Sequence, residues 1–469
     1  MAKTNVDEYL DENISNIYNT KANNVSLKKE YGLTEEIVRN ISKEKEEPEW
    51  VLDIRLKALK AFYELSDPDW GPDISYLDID KIATYVKSVD KESRSWDDVP
   101  DDIKDIFDKL GIPESEKQAL AGSGAQFDSE IVYHNLTEDL KKQGVIYTSF
   151  DEAIKEYPDL VKKYFTKIVP IYDHKYIALH YALFSGGSFV YIPKDAELDR
   201  PLQSYFRLNA PGAGQFEHTL IIVDDNSKLQ FIEGCSAPGY NEVNLHAGCV
   251  ELFVGKNSFL RFSTIENWSK NMLNLNTKKC FVEENGKIEW IMGSFGSRVS
   301  MLYPLSVLNG ANATCEFTNI SFAGKGQNLD TGLKIIHNAP NTSSVVNSKS
   351  ISKDGGICTF RSNSIVKRNA KNSKLSISCE SLMMDSISRS DTIPVDTIET
   401  DDCMFAHEAT VGKISDEAIY YLQTRGLSEE DAKALIVRGF AEPIAKAFPV
   451  EYAVEMNRLI NLELEGTIG

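Results

Sequence analysis

Seven cysteines carry the most reactive side chains of this chain: Cys235, Cys249, Cys280, Cys315, Cys358, Cys379 and Cys403. Their count is odd, no C-x-x-C occurs, and none lies before Cys235 or after Cys403. A disulfide scaffold or a structural zinc site wants paired, close spacings, so free thiols in a reducing compartment fit better. Cys379 and Cys403 precede Ala406-His407-Glu408 within the length of one internal repeat. A thiolate, an imidazole and a carboxylate form a usable iron-ligand set, with the thiolate the natural iron–sulfur ligand. Cys249, Cys280, Cys315 and Cys358 read instead as small apolar side chains stacked in a core. Other constellations fail: there is no G-x-x-x-x-G-K-[ST] and no G-x-S-x-G. A Cys379–His407 protease pair has nothing to mark an oxyanion hole.

The elements that must position these residues change character along the chain. Residues 1–168 read as an N-terminal helical domain. WVLDIRLKALKAFYEL (50–65) repeats Leu52, Leu56, Leu59 and Tyr63 at helical spacing, with Pro48 just ahead of its first turn. Ser149 and Glu152 form a capping box for a second helix, which Pro158 breaks or restarts. The acidic stretch SWDDVPDDIKDIFDKLGIPE reads as a short helix between loops.

From about Val169 the helical period gives way to short β-type runs such as GSFVYIP and TLIIVD. Polar turns then recur on Asn226, Asn257, Asn285, Asn312, Asn341 and Asn372, at intervals of 31, 28, 27, 29 and 31 residues. A four-stranded blade needs about 40 residues, whereas two or three short strands per coil fit these intervals. Asparagine tolerates the left-handed backbone that sharp corners demand. Residues 169–410 are therefore expected to form a β-solenoid. Residues 411–469 turn helical again: Ser415 caps DEAIYYLQTR, Gly426 stops it, Ser428 with Asp431 opens EEDAKALIVR, Gly439 ends it, and Pro449 starts the last helix.

The 469-residue chain is 42% hydrophobic and 26% charged, an ordinary globular balance that excludes wholesale disorder. Its net charge is −20, and residues 1–150 hold 19 Lys/Arg against 32 Asp/Glu, a net of −13. No basic footprint offers a site for nucleic acid, and no apolar run approaches a membrane span. Met1 to Thr20 is acidic and polar with no apolar stretch, so a cytoplasmic location is expected.

The chain resembles the SufB scaffold subunits of the SUF iron–sulfur cluster assembly machinery (the SufB/SufD family) almost end to end. The carrying segments are EPEWVLDIRLKAL (47–59), QFDSEIVY (126–133), EYPDLVKKYF (156–165), GSFVYIPKDAELDRPLQSYFRLNA (187–210), GQFEHTLIIVDDNS (214–227), IEGCSAP (232–238), Asn244 to Trp268, HEAT (407–410) and RGLSEEDA (425–432). The resemblance implies a right-handed parallel β-helix between helical ends and a non-enzymatic scaffold. It implies the ATPase SufC on residues 415–460, SufD or a second SufB against the β-helix, and sulfur supplied as persulfide by a cysteine desulfurase system. It also links the family's complex to reduced flavin, for which no dinucleotide fingerprint marks a site.

Residue by residue, the resemblance makes Cys379, His407 and Glu408 the ligands of a nascent [2Fe–2S] or [4Fe–4S] cluster. It makes Cys235 the sulfur acceptor and lines a sulfur path with Arg207, Asn209, Glu266, Trp268 and Lys278. Ala406 replaces a frequent Glu, and Glu266 replaces the usual Gln. A carboxylate at 266 repels an anionic persulfide unless Lys278 pairs with it or it is protonated. Two alternatives stay open: a SufD-like subunit that ligates no cluster, and a β-helix polysaccharide lyase or hydrolase with a carboxylate-lined groove.

Overall fold

A computed structural model of the chain describes residues 19–21, 28–89, 96–109, 120–448 and 450–465. Its centre is a β-solenoid of about eight turns. One face is a parallel sheet of the strands Leu202–Arg207, Lys228–Ser236, Phe259–Asn267, Lys287–Phe295, Thr314–Ala323, Ser343–Ser352, Ser373–Met383 and Cys403–Lys413, in that order. The opposite face begins with two short strands per coil, such as Met272–Asn274 and Thr277–Val282. These rows fuse into one long strand per coil from Asn328–His337 through Ile357–Val366 to Arg389–Ile398.

The asparagine turns are the corners of this solenoid. All six adopt left-handed backbone, with φ between 55° and 61°. Their side chains also form a ladder between coils. Asn257 Nδ2 donates to Asn226 Oδ1 at 2.9 Å, Asn285 to Asn257 at 2.9 Å, Asn312 to Asn285 at 2.8 Å, and Asn372 to Asn341 at 2.7 Å. Conformation and amide pairing thus select the same residue at each corner, which is why the repeat is visible in the sequence.

Inward-facing side chains stack coil on coil. Phe231, Phe262 and Trp290 follow one another with ring centroids 5.6 and 5.5 Å apart. Cys280, Cys315 and Cys358 are buried in apolar clusters, as expected of stacked small side chains. Cys249 is different: it leaves the solenoid interior and packs among the aromatic residues of the N-terminal part.

The sheets reach further towards the N-terminus than residue 169. Gly122–Phe127 pairs in parallel with Leu202–Arg207, and Ile146–Ser149 pairs antiparallel with Ser188–Ile192. The helix Lys175–Leu183 lies past the expected boundary, and every residue from Tyr176 to Leu183 is buried. A helix apolar all round shows no amphipathic period, so its sequence does not announce it. The helix Glu49–Glu64 packs against it through Arg55, which is paired with Glu47 and donates to the carbonyls of Ala182 and Phe184 at 3.1 and 2.8 Å. Ser149 accepts from the Glu152 amide, and the chain restarts as the helix Pro158–Tyr164.

At the other end, Asp416–Thr424, Glu429–Ala445 and Val450–Glu465 form the expected three helices, with Pro449 outside the described residues. Gly439 does not end the second of them. The helix continues through Pro443, four residues on, where Gly439 supplies the carbonyl the proline ring must avoid. Burial of Ala441, Ile444 and Ala445 against the solenoid outweighs the glycine. Among the described residues no helix is long and apolar enough to cross a membrane.

Candidate functional site

Two groups of reactive residues occupy the solenoid, at opposite ends of a common interior lane. The C-terminal group sits on the last two coils. Cys379, on Ser373–Met383, faces inward and is 2% exposed. His407, on Cys403–Lys413, faces the same way, and its Nε2 lies 4.0 Å from Cys379 Sγ. Its Nδ1 lies 3.5 Å from Asp396 Oδ2, on the opposite face of the same terminal coil. Burial pushes the Cys379 thiol up to about 12, so at neutral pH it stays protonated until a metal or a cation displaces the proton.

Glu408 follows His407 directly on the strand, and alternation turns it to the exposed outer face. The inward carboxylate beside the histidine is therefore Asp396, which the sequence reading missed. Cys403 faces the corner instead, with its Sγ 3.6 Å from the Thr400 carbonyl and its side chain against the small cluster of Val366, Ala370 and Leu375. Thiol, imidazole and the Asp396 carboxylate fit an iron ligand set; Glu408 reaches it only if the terminal strand rearranges.

The N-terminal group surrounds Cys235. Strand alternation places Leu229, Phe231, Glu233 and Cys235 on the inward face, with Cys235 in register with Glu266. Lys278 reaches in from the other sheet and pairs with Glu233, not Glu266. Glu266 accepts from Asn274 Nδ2 at 2.6 Å, Asn274 Oδ1 faces His246 Nδ1 at 2.7 Å, and His246 Nε2 meets Glu217 Oε1 at 2.5 Å. Trp268 lies over His246, ring centroids 4.6 Å apart, and packs in the same cluster as Cys235.

All of these groups are buried, and their titrations follow from it. Burial, followed by the carboxylates of Glu233, Glu266 and Glu217, pushes the Cys235 thiol well up, and Lys278 opposes the shift. Burial also raises Glu266, against the pull of Lys278 and His246. Burial on its own lowers Lys278, but Glu233 and Glu266 more than offset it and keep the ammonium charged. Glu266 is thus held by the Asn274 amide, while the lysine charge stays near Cys235.

Arg207 and Asn209 stand apart from this interior group. Arg207 is in register with Ser236, donates to its hydroxyl at 2.9 Å, and lies on the other face of the sheet from Cys235. Asn209 sits past the strand end, where its backbone N–H donates to Asp128 Oδ1 at 2.7 Å. They flank the outside of the Cys235 coil.

Register links the two groups. Glu233, Thr264, Met292, Asn319, Ser348 and Cys379 form one inward column, and Cys235, Glu266, Ser294, Ser321, Ser350 and Ser381 form the next. Eleven of these twelve side chains are polar or thiol-bearing; Met292 alone is apolar. Ser350 donates to Ser381 at 2.8 Å, and Asn319 to Ser321 at 3.3 Å and to Ser348 at 3.4 Å. Glu233 Oε2, Glu266 Oε1 and Ser294 Oγ are buried without a protein hydrogen-bond partner. Unsatisfied atoms in a buried polar file are positions for water or for a passing polar species.

Among the described residues, the terminal coil ends in two strand edges with no further strand paired to them. Val395, Ile398, Met404 and Val411 are exposed there, at 51%, 42%, 67% and 47%. A second exposed set, Tyr420, Tyr421, Leu435 and Val454, lies on the C-terminal helices.

Comparison with known proteins bears on this arrangement. Residues 206–440 match the model of the SUF system FeS cluster assembly, SufBD core domain, and residues 126–204 match the SufBD protein N-terminal region. Iron-sulfur cluster assembly SufBD family proteins of Staphylococcus haemolyticus, Staphylococcus epidermidis and Staphylococcus aureus are each 51% identical to the chain over 443 residues. The aligned part covers 94% of this chain and 95% of each relative.

Proposed function

Because the chain belongs to the SufBD family of iron–sulfur cluster assembly proteins, we propose that it is a SufB-type scaffold on which a nascent cluster is built. The carrying observation is the interior polar lane, which begins at a buried cysteine and ends at a second one beside a histidine. In this reading Cys235 accepts sulfur as a persulfide, and the Lys278 ammonium offsets the negative charge that burial would otherwise penalise. Two electrons and two protons from an external reductant, such as the reduced flavin linked to the family's complex, cleave the S–S bond, return Cys235 to its thiol and release the sulfur as hydrosulfide, which passes along the serine hydroxyls and asparagine amides towards Cys379. There Cys379 and His407 hold the iron of the cluster, which is cargo and not a resident cofactor.

Partners follow from the exposed surfaces. The unpaired edges of the terminal coil suit a SufD chain or a second SufB, which would close the cluster site from outside. The helices within residues 415–460, with Tyr420 and Tyr421 exposed, suit the ATPase SufC. A cysteine desulfurase system supplies the sulfur. The chain itself performs no catalytic turnover in this scheme.

The test is anaerobic co-purification with SufC and SufD, followed by Mössbauer spectroscopy after reconstitution with iron and sulfide. Wild type is expected to show a cluster signal that Cys379→Ala loses. An equal signal in both chains places the ligands elsewhere, and no signal in either, with the complex intact, makes the chain a structural subunit.

A further inference from the structure

On the outer face of the solenoid, away from the lane, three ligand-bearing side chains converge. His180 lies on the helix Lys175–Leu183, while His218 and Cys249 begin the neighbouring strands His218–Val223 and Cys249–Val254 and are directly in register. Their candidate ligand atoms all lie within 4.8 Å of one another, and all three residues are buried. We infer that His180, His218 and Cys249 bind one divalent ion of the zinc type, which fastens the helix Lys175–Leu183 to the solenoid wall.

The hydrogen bonds around the rings are those that imidazole ligands need. His180 Nδ1 donates to the Ala247 carbonyl at 2.9 Å, which fixes its tautomer and leaves the Nε2 lone pair facing His218. His218 Nδ1 stands 3.0 Å from that nitrogen. Its other nitrogen, Nε2, is fully buried and has no aligned hydrogen-bond partner, although Glu251 Oε2 is 3.4 Å away. Without an ion, the His218 proton is used between the two rings, and a bare Nε2 lone pair confronts a carboxylate. With an ion on Nδ1, the proton moves to Nε2 and donates to Glu251, the carboxylate–histidine–metal arrangement that orients ligands.

Glu251 is built for that place. It accepts from the backbone amides of Thr166, Ile168 and Val169 at 2.9, 3.1 and 3.0 Å, so its position is set before any ion binds. The Tyr181 hydroxyl donates to the Val169 carbonyl at 2.7 Å and lies 3.4 Å from Glu251 Oε2, which ties the helix Lys175–Leu183 to the same carboxylate. Phe150, Phe165 and Phe184 surround the His218 ring, with centroids 4.4, 4.8 and 6.2 Å away. This shell excludes solvent, so the ion enters while the N-terminal part folds onto the coils.

The chemistry balances without a redox partner. The divalent ion replaces the Cys249 thiol proton, which leaves to solvent, and the His218 proton only changes nitrogen. Three protein ligands of N, N and S type suit a borderline ion, and a water carried in with it completes the tetrahedron. The spacing of the ligands, one on a helix and two on successive coils, is why no metal-binding motif shows in the sequence.

The inference is independent of the scaffold reading, and its test uses the full chain. Wild type, Cys249→Ser and the double variant Cys235→Ala/Cys379→Ala are refolded anaerobically with zinc, and metal content and zinc-edge X-ray absorption are measured. The expected result is one ion per chain with two nitrogens at about 2.0–2.1 Å and one sulfur at about 2.3 Å. That shell persists in the double variant and loses its sulfur in Cys249→Ser. Should Cys249→Ser fail to fold, the wild type and the double variant decide between them. Zinc-free wild type, or a sulfur shell lost in the double variant, would overturn the site.

Discussion

Glu233 and Cys379 occupy the same inward column of one parallel sheet, five strand steps apart. At about 4.8 Å per strand the separation is roughly 24 Å. The carboxylate that holds Lys278 beside Cys235 thus lies in line with the cysteine at the open end of the solenoid. A parallel ladder repeats each inward position from coil to coil, so polar residues that recur in register become a file through an otherwise apolar interior.

Blocking that file separates sulfur movement from cluster binding. Ser350→Leu puts a branched side chain where a hydroxyl now meets Ser381 at 2.8 Å. Overpacking costs about 1–3 kcal/mol, which a solenoid of this size tolerates. In the assembled complex, cluster formation from a persulfide donor should fall about tenfold, equivalent to ~1.4 kcal/mol on a barrier. Reconstitution with free sulfide and iron should be unchanged. Equal losses in the two assays would remove the lane from the mechanism.

The Lys278–Glu233 pair is fully buried, so breaking one side is expensive. Lys278→Met leaves an uncompensated carboxylate inside the solenoid and should lower stability by about 3–5 kcal/mol. Lys278→Met combined with Glu233→Gln removes both charges and should recover most of that loss. Guanidinium unfolding midpoints of the single and double variants measure the coupling. A double variant no better than the single would mean that the pair is not held together by charge.

The parts legible in the sequence were those where one residue type answers a local demand. The asparagine corners are visible because each needs a left-handed backbone and an amide for the ladder. The caps at Ser149 and Ser415 are visible because they are local as well. Cys379 and His407 were found together, but Glu408 was assigned to the same side although strand alternation turns neighbours apart. Asp396 and the serine file escaped because inter-coil spacing varies between 27 and 31 residues. Column membership then depends on loop lengths, which only register reveals. The helix Lys175–Leu183 escaped for the opposite reason: buried on all sides, it has no polar face to set a period.

The corner ladder has its own energetic signature. Asn285 donates to Asn257, accepts from Asn312, and holds φ at 55°. Asn285→Ala removes both amide bonds and puts an ordinary side chain in the left-handed region, a cost of about 1–2 kcal/mol for the backbone alone. Asn285→Gly loses the ladder but keeps the backbone free, and should be the milder change. Thermal unfolding followed by circular dichroism ranks the two; a glycine variant as damaging as alanine would assign the corner's stability to the amides and not to the backbone.

The C-terminal helix should respond to pH through Glu463. Burial pushes its carboxyl up to about 7, while Lys270, Lys353 and the Gly296 amide pull the other way. One oxygen of that carboxyl lacks a hydrogen-bond partner, so the neutral form is the one the site accommodates. Between the ordinary value of 4.5 and about 7, the folded chain keeps a proton that the unfolded chain has released. Stability therefore falls as pH rises through that window, by about 3 kcal/mol at most, and levels off above it. Glu463→Gln carries no charge at any pH and should flatten this part of the profile, leaving the helix more stable than wild type above neutrality. Hydrogen exchange of Val450–Glu465 between about pH 5 and 8, corrected for intrinsic rates, reads the effect directly. Protection that is constant with pH in wild type, or equally sloped in the variant, would place the titration elsewhere.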